Sequence, residues 1–163
     1  MQRRTFLHLG LAAGTSLALA GCGFHLRGLA TPEAVLPELA LAGPDSDLAR
    51  LTVERLASAG TRVHDGAPLA LNLGDETFRE RRLGVLESGP RELEMELTAP
   101  FSVQRRSDGA YLLDQQRLEV STRFTVTDDN LLAQDDIRAE TRDRLRREAV
   151  TRLLDRLRAM TDA

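Results

Sequence analysis

Glu92-Leu93-Glu94-Met95-Glu96-Leu97-Thr98-Ala99-Pro100-Phe101-Ser102-Val103-Gln104 places an apolar side chain at every second position. A β-strand sends successive side chains to opposite faces, so this period predicts one long strand. Leu93, Met95, Leu97, Ala99, Phe101 and Val103 form its dry row. Glu92, Glu94, Glu96, Thr98, Ser102 and Gln104 form its wet row. Antiparallel sheets accept that asymmetry, one face against a core and the other in water.

The same reading extends in both directions. Downstream, Ser107-Asp108-Gly109 predicts a hairpin loop, and Leu118, Val120, Thr122, Phe124 and Val126 repeat the alternation. Antiparallel pairing then brings Arg123 opposite or diagonal to Glu92 or Glu94, a favourable cross-strand pair. Upstream, Ser88-Gly89-Pro90 turns the chain. Before it Leu69, Leu71 and Leu73 alternate, and Gly74 predicts a bulge ahead of Phe78 and the charged run to Arg82. A short first strand is expected at 37–43, around Leu39 and Leu41.

Two segments change period. Gly43-Pro44-Asp45-Ser46 is a turn followed by a helix cap. Leu48, Leu51, Leu56 and Ala59 then share one helical face and Gly60 stands at the C-terminal cap, giving a helix at 46–59. Over 131–160, Ile137, Leu145, Ala149, Val150, Leu153, Leu154, Leu157 and Met160 make an apolar stripe. Asp143–Arg147 and Glu148–Arg152 stand at supportive spacing beside it. The expected fold is therefore α+β: a two-layer sandwich, with two helices on one face of a four-stranded, mostly antiparallel sheet.

Composition narrows function. The chain has 163 residues, 22 basic and 25 acidic side chains, and a net charge of −3. Every basic residue is arginine. A net acidic chain is a poor nucleic-acid binder, because those modules carry a basic excess. A single cysteine excludes a disulfide framework and cysteine-rich zinc sites. His8, His25 and His64 share no metal-ligand spacing, and Asp128-Asp129 and Asp135-Asp136 lack the spacing of a calcium loop. No serine or cysteine sits in a recognisable nucleophile motif. The expectation is a non-enzymatic protein without metal or cofactor.

The N-terminus reads as an address. Arg3 and Arg4 precede a weakly apolar stretch at 6–19, too short for a membrane span of about 20 residues. Leu19-Ala20-Gly21-Cys22 matches the bacterial lipobox at every position, so Cys22 is the expected lipid-attachment site. Acyl chains contribute about 0.8 kcal/mol per buried methylene, which makes such an anchor stable. Gly23 rather than aspartate after the cysteine favours the outer membrane. Arg3-Arg4-Thr5-Phe6-Leu7 also resembles a twin-arginine signal, and the general and twin-arginine export routes both stay open. The expected organisation is a signal peptide at 1–21, a lipidated tether at 22–36 and a single α+β domain at 37–163.

Cys22-Gly23-Phe24-His25-Leu26-Arg27-Gly28 resembles the start of the mature LPS-assembly lipoprotein LptE family. Glu92-Leu93-Glu94-Met95 is similar to that family's central strand, and Leu132-Ala133-Gln134-Asp135 to its approach to the last helix. The resemblance implies an outer-membrane, periplasm-facing lipoprotein that plugs the lumen of the β-barrel LptD, helps assemble it and contacts lipopolysaccharide. A polar, water-filled barrel interior suits a plug that is charged all round, and an arginine-only basic set suits bidentate capture of phosphates. The family's lipopolysaccharide-associated basic positions fall nearest Leu86 or Glu87 and Gln134, none of them basic. Neighbouring Arg79, Arg82, Arg91 and Arg138 are the candidate lipopolysaccharide-binding residues. A different reading also fits, a periplasmic lipid-binding auxiliary lipoprotein of an ABC-type system. A deep apolar cavity between helices and sheet would mark it.

Overall fold

The computed structural model describes residues 35–84, 89–127 and 131–161. Along the chain come β1 (Glu38–Ala42), α1 (Asp47–Ser58), β2 (Arg62–Val63), β3 (Leu69–Leu73), β4 (Thr77–Arg82), β5 (Arg91–Arg105), β6 (Tyr111–Val126) and α2 (Leu131–Thr161). Cys22, the signal and tether residues through Ala34, Leu86, Glu87 and Asp128-Asp129 lie outside the described residues.

Local chemistry sets the limits of α1. The Ser46 hydroxyl accepts a hydrogen bond from the Ala49 amide at 3.1 Å, and Asp47 places its charge at the positive end of the helix. At the other end Gly60 takes φ +87°, while the Gly60 amide donates to Ala57 and the Thr61 amide to Leu56, each at 3.0 Å. That pair of bonds is a Schellman cap, and it needs the left-handed residue that glycine supplies. Leu48, Ala49, Thr52 and Leu56 face inward.

β5 is the axis of the sheet. β6 lies antiparallel along one edge, joined through Ser107-Asp108-Gly109. The Ala110 amide bonds the Asp108 carboxylate, which holds that carboxyl below its ordinary value. Along the other edge of β5 run β3 and β4, both antiparallel to it. Leu73 pairs with Phe101 and Thr77 with Thr98, so residues 74–76 face residues 99 and 100, one residue in excess. The Gly74 amide closes this break on the Pro100 carbonyl at 2.8 Å. Beyond β3 come β1 and then β2, each pairing in parallel.

The four-stranded, mostly antiparallel expectation is corrected here to a mixed, six-stranded sheet. Three physical reasons account for the difference. β2 has two residues, too few to show a period. A parallel β1–β3 pair needs a crossover, and α1 provides it, whereas period two says nothing of direction. β6 also begins at Tyr111 rather than near Leu118, because its first arm is mostly exposed, with Leu113 alone partly buried among Tyr111–Arg117, and carries no alternation.

The two-layer α+β class stands. α2 packs across β5 and β6 and against α1. Leu145, Leu153 and Leu157 from α2 meet Leu48 and Leu56 from α1 and Leu39, Leu71, Met95, Leu97 and Val103 from the sheet in one buried cluster. Each such side chain contributes about 1.5–3 kcal/mol by leaving water. Val35 and Leu36, the last residues of the stretch read as a tether, are buried in the same cluster. No helix among the described residues is long and apolar enough to cross a membrane.

Candidate functional site

Helices cover the face of the sheet that carries Leu93, Met95 and Leu97. On the other face the register builds a charged lattice. Arg81, Glu94 and Arg123 stand in one row across β4, β5 and β6; Arg79, Glu96 and Ser121 form the next, and Thr77, Thr98 and Glu119 a third. The Arg81 guanidinium reaches Glu94 at 2.5 Å, and the hydrogen bond and charge of Glu94 raise its pKa above the ordinary value. Arg123 lies 3.8 Å from Glu92. Surface pairs of this kind contribute little, so the sheet does not depend on them for its stability.

The candidate arginines separate. Period two divides the run Arg79-Arg81-Arg82, sending Arg79 and Arg81 to the open lattice and Arg82 to the helix side, opposite Leu93. Arg91 begins β5 opposite Val126. Arg82 and Arg91 come together, lining with Gly84, Pro90 and Glu92 a cavity of about 250 Å³. Arg138 rises from α2 on the helix side, with its Nε 3.1 Å from Glu80 and its Nη1 3.7 Å from Asp135. Its charge is therefore engaged within the fold. Gln134, the position expected near a basic residue, is buried. Its amide donates to the Thr127 carbonyl at 2.7 Å, tying the start of α2 to the end of β6.

Two features were not singled out in the sequence. Arg117 shares the open face because it lies two residues before Glu119, a place that alternation would have found. Arg146 required the tertiary fold. Its guanidinium holds Glu76 at 2.9 Å, Asp143 at 2.8 Å and Asp47 at 3.2 Å, and lies 5.3 Å from the Phe78 ring centroid. Burial lowers its pKa, and the hydrogen bonds and charge of Glu76 outweigh that, leaving it raised. Among the described residues no group of three or more His, Cys, Asp or Glu side chains could hold a metal ion.

A family model described as "LptE: Lipopolysaccharide-assembly" matches residues 36–157. The chain belongs to the LptE family. That match spans β1 to most of α2, so it includes the open lattice and the Arg82–Arg91 cavity. The LptE family's described role is assembly of lipopolysaccharide, consistent with a chain that is not an enzyme.

Solved structures share the fold at low identity. Lipoprotein B from Nitrosomonas europaea superposes with a TM-score of 0.64 at 19% identity, covering 86% of this chain and 94% of that one. A minor lipoprotein from Acinetobacter baumannii gives 0.63 at 15%, covering 76% and 91%. The rare lipoprotein B from Shewanella oneidensis gives 0.58 at 20%, covering 77% and 94%.

Proposed function

We propose that this protein is an outer-membrane lipoprotein, anchored through Cys22 and facing the periplasm, that plugs an LptD-type β-barrel and helps assemble it for lipopolysaccharide transport. The observation that carries the reading is the open lattice of Arg79, Arg81, Arg117, Arg123, Glu92, Glu94, Glu96 and Glu119 on an LptE-family fold. A large barrel has a polar interior. A sheet face with both charges interspersed meets such a wall without burying unpaired apolar surface, and it gains specificity from complementary charges. The interior supports the same reading: the space between helices and sheet is filled by the protein's own leucines, Met95 and valines. A carrier that swallows acyl chains needs that space.

Lipopolysaccharide contact is assigned to the Arg82–Arg91 cavity, where two guanidiniums with fork geometry can meet a lipid A phosphate. Arg79 supports it less directly, from the opposite face. Arg138 is proposed as an auxiliary residue that Glu80 must release first.

The test is an affinity pull-down of the tagged lipoprotein from detergent-solubilised outer membrane, with bound lipopolysaccharide measured in the same eluate. A large, heat-modifiable barrel at one-to-one stoichiometry is expected. Arg82→Gln with Arg91→Gln should reduce the lipopolysaccharide at least fivefold and leave barrel recovery unchanged. Recovery of an inner-membrane lipid-transport complex and no barrel would establish the auxiliary-lipoprotein reading instead. Equal lipopolysaccharide with the double variant would retire the cavity assignment.

A further inference from the structure

The two helices leave a groove of about 360 Å³ between the end of α1 and the second half of α2. Ala59, Val150 and Leu154 form its apolar part, and Arg55, Arg147 and Arg158 stand around it with Ser58 and Thr151. Among the described residues no carboxylate lines it, in a chain whose net charge is −3.

The arginines owe this to their neighbours. Positions three and four residues from Arg55 hold Leu51, Thr52, Ser58 and Ala59, so its helix offers no acid. Arg147 has one acid at that spacing, Asp143, and Asp143 is turned to Arg146 at 2.8 Å. Among the described residues neither Arg55 nor Arg147 forms an ion pair, whereas Arg158 is held by Asp155 at 2.8 Å. The hydroxyls of Ser58 and Thr151 donate to the carbonyls of Arg55 and Arg147, each at 2.9 Å. Their hydrogens are therefore committed, which leaves the guanidiniums as the donors facing the groove. Like charges gathered from two helices over an apolar floor gain most from an anion with several acceptor oxygens.

We infer that this groove is a second anion site, one that takes the phosphoryl headgroup of a lipid. Ala59 and the edge of Leu154 accept the first carbons beyond the phosphate. The volume, at the low end of small-molecule sites, holds a headgroup and not an acyl chain. It is separate from the Arg82–Arg91 cavity: Arg147 stands sixteen residues along α2 from Leu131, roughly 24 Å at the helical rise. The inference does not rest on the barrel reading, because nothing in the groove depends on what the open sheet face meets.

The full-length protein in neutral detergent is titrated by calorimetry with dihexanoylphosphatidylglycerol, with rough lipopolysaccharide and with inorganic phosphate. Saturable binding of at least one lipid is expected, weakened by salt and at least tenfold weaker with Arg55→Gln and Arg147→Gln together. Arg62→Gln, on the exposed β2, should leave the phosphatidylglycerol titration unchanged. If phosphatidylglycerol responds, the source is the bilayer; if lipopolysaccharide alone responds, it is the cargo. Thr151→Glu, which introduces a carboxylate without removing an arginine, should abolish the same binding if the double variant proves unfolded. Identical titrations of the variants and the parent protein would overturn the site, and binding of inorganic phosphate alone would overturn the lipid assignment. Barrel recovery with these variants is a separate readout and should not change.

Discussion

The guanidinium of Arg146 joins α1, the β3–β4 break and α2 through Asp47, Glu76 and Asp143, with its Cζ over the Phe78 ring. Glu76 is only 12% exposed, so removing the arginine leaves a nearly buried carboxylate without its counter-charge. Breaking such a pair costs more than the pair contributes, because the remaining charge keeps its desolvation penalty. Arg146→Ala is expected to lower stability by about 3 kcal/mol, the low end for buried pairs because the site is partly open. Urea unfolding checks this, and Glu76→Gln with Arg146→Met should recover most of the loss. Residue-scale interactions of this kind were illegible in the sequence. Arg146 and Glu76 are 70 positions apart, and a helix face crowded with arginines gives no sign of which one turns inward. Arg123 was legible because a regular register fixes its neighbours before any tertiary packing, and it does face Glu94.

Among the elements, β5 and the body of α2 were readable because each keeps one period over many residues. The beginnings and ends of the sheet were not. β2 is too short to repeat a period, the first arm of β6 is mostly wet, and a parallel edge leaves no mark in alternation. The passage from β1 to α1 depends on one close approach. Gly43 takes φ +138°, and a Cβ built there would stand 1.9 Å from the Leu73 carbonyl oxygen. Gly89 also has a positive φ, +90°, with nothing within 4 Å of the same construction. The two positions therefore separate backbone strain from steric collision. Gly89→Ala should cost about 1–2 kcal/mol, the left-handed penalty alone. Gly43→Ala must also push β1 away from β3 and is expected to cost at least about 3 kcal/mol. Thermal unfolding of the two variants side by side tests the difference; equal losses would mean that β1 yields freely at that edge.

At the scale of the whole molecule, the sheet has one face sealed by helices and one charged face left open, and the chain belongs to the LptE family. The candidate site was half legible. The wet row of β5 was visible at once, but three strands had to be aligned before the arginines of β4 and β6 fell in with its glutamates. The arginines of β4 are divided between the two faces. Arg82 and Arg91 share a cavity through the meeting of two strand ends, which no spacing rule anticipates. The proposed plug places the open lattice against the inner wall of a barrel. A photo-crosslinking amino acid at Ser121, in the middle of that face, tests this in intact cells. An ultraviolet-dependent adduct between this protein and one large outer-membrane barrel is expected, reduced severalfold when Arg79 and Arg123 are both changed to Glu. Crosslinking at Ser121 only to small periplasmic or inner-membrane proteins, with no barrel adduct in cells that export lipopolysaccharide normally, would contradict it.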